Sequence, residues 1–348
     1  MTMQTDSRHR RHGCGSVPSH DRRHVVRLAG SLAALVGLPR SVLAADHASH
    51  GHDMQPAAAE ASDAKFAAAR AAVAPAAGFQ SRISLGGSVP ALVAEGVIDR
   101  GKFLAAMRRP RPRTLDLDDP LALVAGYLDA SVPEKLPGEV ASMLDWPANA
   151  PIRLTTANAG NYLNMLWPLG LSNRMASNDD SPVNGEMLDR FASTSGWTLG
   201  QAGNGAAYFN RFPIIVLDRD QEELATAVAR TTYRPCCDNS TFYQDCNHGS
   251  ALLGLLELGA AQGLDEAALY REALAFNSFW FPELYAQTAL YFSEIEGIPW
   301  SRVAPARVMA IEFSSMSGWQ ANVQRTLQRI PGLVPPPRPG TVSFDCSI

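Results

Sequence analysis

The chain has 348 residues, 46% of them hydrophobic, which is enough to bury a core and excludes a disordered protein. Its formal charge is −4, but residues 1–44 hold seven arginines against Asp6 and Asp21, so the remainder stands at −9. A surface that acidic repels phosphate backbones, and with no basic stripe along the chain the composition argues against nucleic-acid binding.

The first predicted element is an export segment. Asp21-Arg22-Arg23-His24-Val25-Val26-Arg27 sets paired arginines before two apolar residues and a further base, and an apolar run follows from Leu28 to Leu38. A bilayer core takes about 20 residues, so this shorter run predicts a signal h-region and no stable membrane anchor. Arg40 follows, and Val42-Leu43-Ala44 supplies an end that a signal peptidase accepts. The pattern resembles twin-arginine signals, which carry folded proteins, often with a cofactor already inserted. The resemblance implies that residues 1–44 are removed. It also makes the twin-arginine translocase and signal peptidase partners during export, and places the working protein in the periplasm or outside the cell.

Cleavage after Ala44 leaves Ala45-Asp46-His47 at the terminus. A free amine, two deprotonated backbone amides and the imidazole of His47 form a square-planar nitrogen set, the geometry that Cu(II) and Ni(II) prefer. The segment resembles the amino-terminal copper and nickel binding motif. His50, His52 and Met54 follow at once, and short His-rich tracts bind metals. The alanine-rich stretch from Pro56 to Gly78 reads as a linker or a frayed helix, so residues 45–79 are expected to form a mobile arm.

From about residue 80 to 330 the sequence predicts one helical domain. Ser88 is placed to cap a run through Met107, and Asp118-Asp119-Pro120 opens another through Ala130. Asp218 and Gln221 have capping-box spacing ahead of an E-E-L-A-T-A-V-A-R helix. After Asp265, Leu269, Ala273, Phe276 and Trp280 recur at helical spacing, and Pro282 starts a further helix with Leu284, Thr288, Tyr291 and Ile295 on one face. The one strand candidate is Pro213 to Leu217, which is too little for a sheet, so the fold class is all-α. Residues 173–205 form the longest irregular stretch, and residues 331–348 make an extended tail carrying Cys346.

Soft-ligand chemistry is concentrated in one place. Once Cys14 leaves with the signal, Cys236, Cys237, Cys246 and Cys346 remain, and the only histidine beyond His52 is His248. Cys246 and His248 fall at the start of an apolar helix that runs to Gly263, where the helix dipole lowers a thiol pKa. Two readings stand. In an oxidising compartment four cysteines give two disulfides, with Cys346 stapling the tail. Alternatively Cys246, His248 and one or more of Cys236, Cys237 and Cys346 ligate a transition metal ion, with copper favoured over zinc or iron. Adjacent Cys236 and Cys237 fit neither reading simply, because neighbours rarely face one tetrahedral centre and can pair with each other only through a strained ring.

This stretch, with N-Y-L-N-M-L-W-P-L-G-L-S-N at 161–173, A-S-T-S-G-W-T-L-G at 192–200 and N-S-F-W-F-P at 277–282, resembles a group of twin-arginine-exported bacterial proteins. These share a P-C-C, N-S-T, D-C-N-H-G core and a cysteine near the C-terminus; the likeness brings no activity with it. D-C-N-H-G also resembles the nucleophile segment of papain-like cell-wall cysteine peptidases, which makes a hydrolase using Cys246 a further alternative, but no second histidine follows His248 to act as base. Asp179, Asp180, Glu283, Glu294 and Glu296 are candidates for carboxylate chemistry only if the fold brings them together. The sequence therefore points to metal handling or redox work at a Cys/His cluster, with a disulfide-stapled binding domain as the alternative.

Overall fold

The computed structural model describes residues 56–107, 138–186, 188–192 and 199–333. Helices dominate: α1 (Pro56–Val73), α2 (Ser88–Ala94), α3 (Arg100–Met107), α4 (Gly138–Ser142), α5 (Ala159–Ser172), α6 (Leu188–Ala192), α7 (Arg219–Thr231), α8 (Asn247–Ala261), α9 (Glu266–Trp280) and α10 (Pro282–Leu290). Four short helices follow: α11 (Pro305–Met309), α12 (Ile311–Ser314), α13 (Met316–Trp319) and α14 (Arg325–Gln328). The one sheet among the described residues pairs β1 (Phe79–Gln80) with β2 (Arg153–Leu154), antiparallel, with Phe79 opposite Leu154. The all-α expectation is met. No helix among the described residues is long and apolar enough to cross a membrane.

The core is built on α5 and α8, which make the most extensive helix contact among the described residues. Both are apolar nearly all round, so no face is left for solvent; every residue of α5 is buried, as is α8 through Ala260. Glycines let the two backbones approach. A Cβ on Gly170 would stand 2.0 Å from the Ser250 carbonyl oxygen, and one on Gly254 would stand 2.7 Å from that of Leu166. Against this pair, α7 lays a strongly amphipathic face through Ala225, Val228 and Ala229. Trp280 at the end of α9 donates its indole N–H to the Ala159 carbonyl at 3.1 Å, tying α9 to the start of α5.

Helix ends follow the capping chemistry of the sequence. Asp218 and Gln221 exchange both hydrogen bonds of the capping box, at 2.9 and 3.0 Å, and Asp265 accepts from the Ala268 amide at 2.8 Å. Four expectations are corrected. The run from Ser88 to Met107 is broken after Ala94, where Gly96 takes a left-handed φ of +71°, and the Ser88 hydroxyl donates to Leu85 instead of capping. Pro213–Leu217 is not a strand: Val216 faces solvent, and the neighbouring Phe212 makes only an isolated bridge to Asn173. The face shared by Leu284 and Thr288 stops short of Ile295, because a π-helical turn over Tyr291–Ile295 shifts the register and leaves Ile295 exposed. The alanine-rich stretch forms α1, whose Phe66, Ala69 and Val73 pack into the core, with α10 as its neighbour. Lys65 to Glu294 at 2.6 Å and Arg70 to Glu283 at 3.2 Å flank that contact. The expected helix at Asp118–Ala130 and the tail 334–348 lie outside the described residues.

The α5/α8 crossing gives a direct test. Gly to Ala in a helix interior ordinarily adds about 1 kcal/mol of stability. At Gly170 the clash with the Ser250 carbonyl outweighs that gain, so Gly170→Ala is expected to lose roughly 2 kcal/mol in denaturant unfolding. Gly138→Ala, which has open space beside it, should be neutral or slightly stabilising; equal midpoints for the two variants would contradict the close crossing.

Candidate metal centre

The loop between α7 and α8 carries the cysteines and is fastened on every side. The Thr241 and Phe242 amides donate to the carbonyls of Thr232 and Ala229, at 2.8 and 3.0 Å. Arg230 stacks on the Phe242 ring at 4.3 Å. Asn277 of α9 donates to the Tyr233 carbonyl at 2.9 Å, and the Met316 and Ser317 amides reach the Cys237 carbonyl and the Asp238 carboxylate at 3.0 and 2.7 Å.

Within this frame lies Arg234, whose side chain has no solvent exposure. A guanidinium has five N–H donors, and all five are used here. Nε donates to Cys246 Sγ at 3.2 Å, one terminal nitrogen to the carbonyls of Asn239 and Ser240 at 2.7 and 2.6 Å, and the other to the Tyr243 carbonyl at 3.1 Å and to the Asp245 carboxylate. Burial alone would push the guanidinium pKa down; the charges of Cys246, Cys237 and Asp245 more than offset it and hold the group cationic. Gly249 is needed for this approach, since a Cβ there would stand 2.7 Å from the guanidinium carbon.

Cys246 is the N-cap of α8, its sulfur accepting from the Gly249 amide at 3.3 Å. Cys236 Sγ lies 3.7 Å from it, Cys237 Sγ lies 4.0 Å from an Asp245 carboxylate oxygen, and the three sulfurs all fall within 4.8 Å of one another. Their acidities diverge. Hydrogen bonds from the Cys236 and Cys237 thiols, then the Arg234 charge and a contact with His248, hold Cys246 well below the ordinary thiol range in spite of burial. Donation to its two neighbours, then burial, pushes Cys236 up. At Cys237 a bond with Cys236 pulls the pKa down, but donation to Cys246 and burial outweigh it and raise it. Burial and the Cys246 charge raise Asp245 against the pull of Arg234. Of the three, Cys246 is the one whose deprotonated form the site favours, while Cys236 and Cys237 hold their protons more tightly.

The sequence-predicted residues divide as follows. Cys236, Cys237 and Cys246 come together, and the vicinal pair does turn both sulfurs toward one centre, against the expectation from adjacency. None of the three is in a disulfide. His248 is buried beside them, its ring 4.6 Å from Phe281 and 5.8 Å from Trp280. Cys346, His47, His50 and His52 lie outside the described residues. The acidic candidates do not converge: Glu283, Glu294 and Glu296 pair with Arg70, Lys65 and Arg307, and an Asp179 oxygen accepts from Asn210. Sequence reading missed Arg234, Asp245 and Gly249. Their signal was an arginine two residues before the cysteine pair, an acid just before the cap and a glycine three residues after it, in a loop whose only other charged side chain is Asp238. No protein-family model, curated protein or solved structure matches this chain.

The charge pattern is open to measurement in reduced, metal-free protein. At about pH 7 the ultraviolet thiolate band should correspond to one cysteine per chain, be absent from Cys246→Ser, and titrate away on acidification with a midpoint well below about 8.5. Because the folded pKa of Cys246 is depressed, the stability it contributes is present above the unfolded value and is lost as pH falls through the folded one. A thiolate band that appears only above about 8.5 would contradict the site as described.

Proposed function

We propose that this is an exported protein whose helical domain holds one soft transition metal ion, monovalent copper before zinc or iron, on the sulfurs of Cys236, Cys237 and Cys246, in a metal-handling or redox role. The observation that carries this reading is the set of three sulfurs within 4.8 Å of one another, one of them against a buried guanidinium. Metal–thiolate bonds of about 2.3 Å at tetrahedral angles place neighbouring sulfurs about 3.8 Å apart. The Cys236–Cys246 separation of 3.7 Å fits that edge without movement of either side chain. Thiolates select soft ions, and Cu(I) accepts three of them, whereas Zn(II) requires a fourth donor, for which His248 or Cys346 is the candidate.

Arg234 adds the electrostatic part of the argument. A bound ion with three thiolates is negative for any monovalent or divalent metal, and burying that charge unpaired would cost several kcal/mol. A fixed guanidinium already touching Cys246 provides the counter-charge at the ligand itself. The twin-arginine pattern at Arg22 and Arg23 supports export after folding, which lets such a site be filled before the protein meets an oxidising compartment. The terminal His47 chelate, with His50 and His52, would act as a second, weaker site for divalent copper.

The test uses the full chain with His47, His50 and His52 changed to Ala, folded under reducing conditions with metal supplied. Elemental analysis should find about one equivalent of metal per chain, falling to background in Cys246→Ser and Cys237→Ser. A chain that folds and carries no metal under these conditions rejects the proposal.

A further inference from the structure

We infer that Cys236 and Cys246 form a redox couple within the site, closing to a disulfide that expels the ion and reopening to take it up again. The inference rests on the metal reading above and adds a mode of release to it. The two sulfurs stand 3.7 Å apart and need about 2.05 Å to bond, a closure that side-chain rotation at Cys236 can provide while Cys246 stays on its helix cap. Cys237 is the less suited partner: its sulfur also faces the Asp245 carboxylate at 4.0 Å, and a bond to adjacent Cys236 would demand a strained ring.

The order of events follows from what faces each sulfur. Cys246 is partly exposed, receives the Arg234 Nε–H and the Gly249 amide, and is the attacking group; Cys236 is buried behind it. With a small-molecule disulfide as oxidant, the Cys246 sulfur attacks one sulfur of the oxidant and displaces the other as a thiolate. Cys236, already a thiolate while it holds the ion, then leaves the ion and attacks Cys246 in the mixed disulfide, displacing the second oxidant half as a second thiolate. Two electrons pass from the cysteine pair to the oxidant, one S–S bond is made for one broken, and the bound ion loses two of its three sulfurs. The fold tolerates the change because Arg234 keeps Asp245 and three backbone carbonyls when the Cys246 charge disappears.

The experiment titrates the full metal-loaded chain, again with the three arm histidines changed to Ala, against mixtures of oxidised and reduced glutathione. Disulfides are mapped by peptide mass and protein-bound metal is measured in each sample. The expected result is a Cys236–Cys246 bridge that appears in step with metal loss, and full recovery of metal on reduction. In Cys237→Ser the same bridge should form at the same glutathione ratio although the metal is already gone, which reads the couple independently of the ion. A bridge that involves Cys237 or Cys346, or metal loss with no bridge, overturns the inference. A reduced chain without the arm histidines that binds no metal overturns the function proposed above and the release with it, while the Cys237→Ser map still reports the couple.

Discussion

Burying a guanidinium costs several kcal/mol unless every donor is met, and at Arg234 that requirement organises the loop from Tyr233 to Gly249. Four of its five hydrogen bonds go to oxygens contributed by four different residues of the loop between α7 and α8, and the fifth goes to the sulfur that caps α8. The loop cannot relax without stranding the charge, which would cost about 3–5 kcal/mol. The cysteines are therefore held by a side chain that is not itself a ligand. Gly249 belongs to the same constraint, because no larger residue leaves room for the guanidinium above the first turn of α8.

The surrounding helices make that loop rigid. Helix α8 is apolar on all sides and locked against α5 by glycines on each helix, so its N-terminus is a fixed point for the Cys246 cap. On the other side Tyr285, Ser314 and Asn277 form a buried hydrogen-bonded group, Tyr285 to Ser314 at 2.6 Å and Asn277 to Tyr285 at 3.1 Å. Asn277 also holds the Tyr233 carbonyl beside Arg234. Burial raises the Tyr285 pKa against the pull of its hydrogen bonds with Ser314 and Asn277. Rigidity of this kind lets a site select an ion by donor type, since the sulfurs do not have to be gathered at the moment of binding.

What was legible in the sequence is local chemistry. The Asp218–Gln221 capping box needs only its own helix end, and the position of Cys246 at the head of an apolar run needs only α8; both appear in the structure as read. What was not legible depends on partners far away in the chain. Pro213–Leu217 has strand-like residues but no neighbouring strand, and alanine-rich α1 has little amphipathic signal and gains its place from core packing and ion pairs to residues more than two hundred positions away. Arg234 is a third case: its acceptors lie within twelve residues, but an arginine reads as a surface residue until the loop closes five acceptors round it. The cysteine cluster itself was visible as a concentration of soft ligands, while the convergence of Cys236 with Cys237 depended on the loop path that Arg234 imposes.

X-ray absorption at the metal edge of the loaded chain, with the arm histidines removed, reads the donor atoms around the ion. Three cysteine sulfurs held around one ion give a first shell of sulfur at about 2.3 Å, with at most one nitrogen from His248. A first shell made mainly of nitrogen and oxygen would show that the ion sits elsewhere, and that the cluster around Arg234 is not its site.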